Sequence, residues 1–255
     1  GDGDGGVGGG GGGDGDGDGG GASSRGGDQS WVNNARAHAF PESPPIQYPT
    51  IEPGTVLMDL PLFVLNATLF PTIRMPLRVF EPRYRRLVKE CLEQRRPFGL
   101  IHQDSRFGCL ANITHVSSMD ERDGTSSIEV TGTRRFRVTD SHAAVDDLNF
   151  GLSRTRVTVL DDSIHDLEAA TPEYDEAVAL QALLTEKMVQ WSSSSRSLVH
   201  SFENNATPVQ FAWNLCFFLS QYPSVAVEER LAWAAEPDPL VLLRRLAALL
   251  EERRA

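Results

Sequence analysis

FEPRYRRLVKECLE, residues 80–93, is the stretch on which the fold turns. Pro82 suits the first position of a helix, where its fixed φ is already helical and its missing N–H is not needed. From that start Tyr84, Leu87, Val88, Cys91 and Leu92 recur at i, i+3, i+4, i+7 and i+8, one apolar stripe at the helical period. Burying the five contributes on the order of 10 kcal/mol before chain entropy is subtracted. That predicts a helix pressed against a core, with Arg85, Arg86 and Lys89 left on its outer side. Such a charge run is either a solvated face or a face for a partner, and the sequence alone leaves both open.

Before the helix, residues 55–65 (TVLMDLPLFVL) and 74–80 (RMPLRVF) are short apolar runs punctuated by Pro61, Pro71 and Pro76. This predicts strands at edges or bends. After it come FGLIHQ, CLANITHVSSM and SSIEVTGTRRFRVTDSH, with Arg122-Asp123-Gly124 expected as a tight turn between the last two. In TGTRRFRV, Arg135 and Arg137 alternate with Phe136 and Val138, which predicts a strand with one wet face carrying Arg134, Arg135 and Arg137. SRTRVTVLDD repeats the pattern, with Arg154 and Arg156 expected outward. Strands at this spacing around one helix suggest a small, twisted, partly closed barrel. From Thr171-Pro172-Glu173, a cap followed by a first-turn proline and acid, the period becomes helical through Tyr174, Val178, Leu180, Leu183, Leu184, Met188 and Trp191. PVQFAWNLCFFLSQY, SVAVEERLAWAA and DPLVLLRRLAALLEERR each predict a further helix, which implies a compact bundle.

The chain has 255 residues and a net charge of −11. Seventeen of its 23 glycines lie in residues 1–27, where there is almost nothing to make a core, so residues 1–50 are expected to be a disordered Gly/Asp-rich tail or linker. Six Asp against one Arg give residues 1–28 a charge of −5 and leave −6 for the rest, so neither part attracts nucleic acid. No run of 18 apolar residues exists, which predicts no membrane span. The expected location is intracellular, the cytoplasm first; the missing initiator Met leaves room for an upstream domain or an organellar targeting segment. Cys91, Cys109 and Cys216 are odd in number and widely spaced, which suits buried small hydrophobes better than a disulfide or zinc site.

Chemistry-bearing motifs are missing. Lys89 and Lys187 are the only lysines, and neither follows a glycine as a phosphate loop requires. The six histidines form no i, i+4 pair, no serine sits in Gly-x-Ser-x-Gly or Ser-x-x-Lys, and Asp14–Gly19 begins like a calcium loop whose twelfth residue is Arg25 instead of Glu. No catalytic, cofactor-binding or metal residue is therefore nominated, and no cofactor is expected.

LPLFVL (60–65), LFP (69–71), MPLRVFEPRYRRLV (75–88), FG (98–99), GC (108–109), GTRRFRV (132–138) and the closing LRRLAALLE together resemble the N-terminal substrate-recognition domain of the Lon proteases. The resemblance spans roughly residues 53–252 and is most similar in wording to the Lon-type domains of RING-finger ubiquitin ligases and of stand-alone proteins. It implies an α+β fold, a PUA-like pseudo-β-barrel (51–165) followed by a C-terminal α-helical bundle (166–255). The ATPase and Ser-Lys protease modules of Lon, a RING cysteine-histidine pattern and the zinc domain of cereblon have no counterpart in this sequence.

The expected function is therefore non-catalytic recognition of unfolded or degron-bearing polypeptides for regulated degradation, alongside ubiquitin-conjugation or protease machinery. The alternative is the substrate-recognition end of a RING-type ubiquitin ligase. Candidate polypeptide contacts are Phe70, Met75, Arg78, Arg83, Arg85, Arg86 and Lys89, on a barrel edge and beside the 82–94 helix. Phe70 and Met75 also suit core or loop anchors.

Overall fold

The computed structural model describes residues 46–119, 125–140, 144–146, 151–161, 171–191 and 207–252. Residues 1–45, with most of the expected tail, and the expected Arg122–Gly124 turn lie outside them. Among the described residues seven strands come first, with one helix among them: β1 (Val56–Leu65), β2 (Arg74–Val79), α1 (Pro82–Gln94), β3 (Phe98–His102), β4 (Phe107–Met119), β5 (Ser126–Val138), β6 (Ala144–Asp146) and β7 (Leu152–Val159). Four helices among the described residues follow: α2 (Pro172–Trp191), α3 (Pro208–Ser220), α4 (Val227–Ala235) and α5 (Pro239–Glu252).

The sheet order is β2-β5-β4-β3-β1-β7-β6, and a further β5–β7 pairing closes β5, β4, β3, β1 and β7 into a barrel. All neighbours are antiparallel except β1 and β3, between which the chain makes β2 and α1. β2 and β6 are appended outside the ring, on β5 and β7 respectively. The barrel interior holds Leu60, Leu62, Ile101, Leu110, Phe136, Val157 and Val159. Its larger cluster lies on the other side of the strands, where Phe63, Phe98, Leu100 and Ile113 meet Tyr84, Leu87, Val88 and Cys91 of α1 and the apolar faces of the four C-terminal helices.

Local sequence accounts for the element starts. Pro82 opens α1, and Tyr84, Leu87, Val88 and Cys91 are its buried residues. Thr171 accepts a hydrogen bond from the Tyr174 N–H at 3.2 Å, and Asp238 accepts from the Leu240 N–H at 2.8 Å, so each expected cap is formed. Thr207 and Gln210 make a reciprocal capping box ahead of Pro208. One glycine is required by a close approach: a Cβ on Gly132 would lie 2.2 Å from the Phe70 carbonyl oxygen, which the Thr72 and Ile73 backbone fixes beside β5.

Two arginine expectations need correction. Arg135 does not face water; it is 2% exposed. Its guanidinium donates to the carbonyls of Ala234, at 3.1 Å, and Glu236, at the C-terminal end of α4, and lies 4.7 Å from the Trp213 ring centroid. In a barrel, strand alternation separates inside from outside, and here the outside is covered by helices, so both faces of β5 are dry at this point. Arg154 is likewise drawn in: it donates to Asp59 at 3.0 Å and to Glu90 of α1, while Arg96 also pairs with Glu90. Burial opposes the charge on Arg154, but the Glu90 and Asp59 carboxylates outweigh it and raise its pKa. Arg137 and Arg156 are exposed as expected.

Candidate polypeptide-binding face

β2 pairs with β5 along one edge only, and no strand among the described residues takes the other edge. Its hydrogen-bonding direction follows from the neighbouring bonds: Gly132 donates to the Ile73 carbonyl, and Thr72 donates to the Gly132 carbonyl. The register therefore points the backbone groups of Met75, Leu77 and Val79 at β5 and those of Arg74, Pro76 and Arg78 away from it. Pro76 has no N–H to offer, so the free edge presents donors only at Arg74 and Arg78. A proline at this place also blunts indiscriminate pairing with other strands.

The side chains alternate as well. Met75, Leu77 and Val79 are buried, while Arg74, Pro76, Arg78 and then Phe80 are exposed. Phe80 is 64% exposed, between the end of β2 and the first turn of α1. Arg74 reaches Glu129 at 3.9 Å with both groups largely in solvent. Arg78 and Arg86 have no hydrogen-bonding or ion-pair partner among the described residues.

The first turn of α1 is firmly held. Tyr84 stacks on Phe63 with centroids 3.9 Å apart, donates to the Val64 carbonyl at 3.1 Å and accepts from the Val64 N–H at 3.2 Å. Burial raises its phenol pKa, against the lowering effect of that backbone bond. Arg83 lies 4.5 Å over the Tyr84 ring and pairs with Glu81 at 2.8 Å. Lys89 is exposed and pairs only loosely with Glu93, at 3.8 Å.

Of the residues singled out from the sequence, the structure groups Arg78, Arg83, Arg85, Arg86 and Lys89 at the β2–α1 junction and along the helix. Arg83 and Arg85 are half-buried, and the other three are exposed. Phe70 and Met75 are elsewhere: Phe70 is 0% exposed and stacks on Trp213 at 5.7 Å, and Met75 is 7% exposed in the core. In this conformation both are packing residues. Phe80 was not singled out, although the period-2 pattern of RMPLRVF places it on the same face as Arg74, Pro76 and Arg78.

Among the described residues no group of three or more His, Cys, Asp and Glu is arranged to hold a metal ion, and no helix is long and apolar enough to cross a membrane. What this face offers chemically is an exposed aromatic ring, a short open strand edge and several cations on one rigid helix.

Residues 59–252 match the family model of the ATP-dependent protease La (LON) substrate-binding domain. The chain is 26% identical over 190 residues to a Lon protease of Parabacteroides distasonis, an alignment that covers 69% of this chain and 21% of that protein. It thus spans about a fifth of that relative's length. The crystal structure of a Lon N-terminal domain protein from Xanthomonas campestris is similar with a TM-score of 0.54 and 26% identity, covering 75% of this chain and 98% of that one. The N-terminal domain of a Mycobacterium avium complex Lon protease has the same fold, with a TM-score of 0.56 at 14% identity over 76% of this chain and 98% of that one.

Proposed function

The chain belongs to the ATP-dependent protease La (LON) substrate-binding domain family, and from that membership we propose that it holds polypeptides destined for degradation and performs no catalysis itself. The contact face is the free edge of β2 and the outer side of α1. Phe80 supplies the apolar anchor, and Arg78, Arg83, Arg85, Arg86 and Lys89 supply the polar surround. Phe70 and Met75 are buried in the core and take no part in the contact. The observation that carries the proposal is the ring of Phe80, 64% exposed at the end of a strand with one edge unpaired among the described residues. An exposed aromatic beside open backbone groups matches what an unfolded chain exposes: apolar side chains and unpaired amides.

The test is binding of one model protein in two forms, native and permanently unfolded, to the full chain. The unfolded form is expected to bind and the native form not; equal binding of both, or of neither, refutes the proposal. Charge reversal at Arg78, Arg86 and Lys89 together is expected to weaken binding while leaving thermal unfolding nearly unchanged, because all three are exposed and among the described residues only Lys89 of the three has a carboxylate partner.

A further inference from the structure

β3 covers β4 only as far as the Phe98–Ala111 pair. Beyond it the outer edge of β4 carries no strand among the described residues, and the next outward backbone pair belongs to Ile113, which faces away from β5 in the β4–β5 register. Tyr48 takes up both groups: its hydroxyl accepts from the Ile113 N–H and donates to the Ile113 carbonyl, each at 3.1 Å. That anchor holds residues 48–51 as one wall of an open cleft of about 310 Å³, whose other wall is Pro97, Asn112, Thr133 and Arg134.

A β-bulge shapes the second wall. Cys109 pairs with Arg135 and Ala111 with Gly132, so Thr133 and Arg134 together face the single residue Leu110. The alternation of β5 slips by one at this point, and Thr133 and Arg134 both become half-exposed and both line the cleft. Bulges re-aim side chains in this way and are common beside binding sites. The Thr133 hydroxyl is used, donating to the Leu110 carbonyl at 3.2 Å. The Arg134 guanidinium and the Asn112 amide have no hydrogen-bonding or ion-pair partner among the described residues. A strand irregularity thus brings a cation and an amide, both without a partner among the described residues, into one cleft that Tyr48, Pro49, Ile51 and Pro97 also line.

We infer that this cleft binds a carboxylate carried on an extended peptide. Arg134 forms a forked, charge-assisted pair with the carboxylate, the Asn112 amide bonds the adjoining peptide group, and the tyrosine and proline surfaces cover the neighbouring backbone. The volume lies at the small end of the range for ligand sites, which suits one acidic group and its neighbours. The open form lets a chain run through. The cleft is separate from the β2–α1 face, and the choice of a peptide as its ligand rests on the polypeptide-binding function proposed above. It adds a forked pair with a single carboxylate to the Phe80 anchor and diffuse cations of that face.

The test is fluorescence anisotropy with the full chain and an unstructured labelled peptide in three forms: with a central Asp and free C-terminus, with Asp replaced by Asn, and with the C-terminus amidated. In the wild type, removing the carboxylate that is read is expected to weaken binding at least fivefold. Loss on Asn substitution identifies a side-chain carboxylate as the ligand; loss on amidation identifies the chain terminus. In Arg134→Gln the three peptides are expected to bind alike, and Asn112→Ala is expected to weaken all three without equalising them. An unchanged preference in Arg134→Gln, or no preference and no peptide binding in the wild type, overturns the inference. The unfolded model protein is measured alongside: if it still binds, the cleft alone is refuted, and if it does not, the broader function falls too.

Discussion

Phe80→Ala separates a binding role from a structural one. The ring is 64% exposed, so a bound segment that covers it removes roughly 100 Å² of apolar surface from water, taking the lower part of the ~150–250 Å² range for an aromatic side chain. At about 25 cal/mol per Å² this contributes roughly 2.5 kcal/mol. Ordering the bound segment takes back about 1 kcal/mol, which leaves roughly 1.5 kcal/mol, or about a tenfold loss of affinity on truncation. Because the ring is largely outside the core of the free protein, the same change is expected to move folding stability by no more than about 0.5 kcal/mol. Anisotropy of a labelled unfolded polypeptide gives the first quantity, and urea unfolding of the same preparations gives the second. Affinity within twofold of wild type refutes the assignment of Phe80 as anchor. A stability loss above about 1 kcal/mol shows that the ring is part of the packing instead.

Further expectations concern the frame behind that face. Arg135→Ala leaves the Ala234 and Glu236 carbonyls without their donor and strips the cation from Trp213, so a loss of about 3–5 kcal/mol in urea unfolding is expected, with Arg135→Lys in between; an effect under about 1 kcal/mol contradicts the clamp. Gly132→Ala puts a Cβ 2.2 Å from a backbone oxygen that cannot swing aside, and a loss of about 3 kcal/mol or a failure to fold is expected; wild-type stability would show that β5 and the 70–73 turn separate easily. Burial pushes the Cys91 thiol from 9.0 up to about 12 and the Tyr48 phenol from 10.0 up to about 12. Below about pH 8 both groups are neutral folded or unfolded; above it the unfolded chain loses protons first, so stability is expected to fall between about pH 8 and 12. A urea midpoint unchanged from pH 8 to pH 11 would contradict that burial.

Much of the fold was readable because its signals are local. Pro82 and the Tyr84–Leu92 stripe announce α1 within a dozen residues, and Thr171-Pro172 and Asp238-Pro239 announce α2 and α5. Arg135 was misplaced because alternation along β5 says which residues point into the barrel but not what lies against its outer surface. Helices far along the chain decide that, and the Ala234 contact is 99 residues away. Arg154 was misplaced for the same reason, its partner Glu90 coming from a helix 64 residues earlier. The Thr133–Arg134 bulge has no signature in TGTRRFRV, since it exists only relative to the register with β4. The candidate face was half visible: the cations of α1 follow from the helical period, while Phe80 was missed although the strand period of RMPLRVF places it on the face of Arg74, Pro76 and Arg78. Phe70 and Met75 suit either contacts or core anchors in the sequence, and in the structure both are packed in the core.

The most direct test of polypeptide recognition at the β2–α1 face is hydrogen exchange of the full chain with and without a saturating unfolded polypeptide. The amides of Arg74 and Arg78 face no strand partner among the described residues, and together with residues 79–89 they are expected to exchange more slowly in the complex. Saturated binding with unchanged exchange across residues 74–89 would contradict the placement of the site on this face.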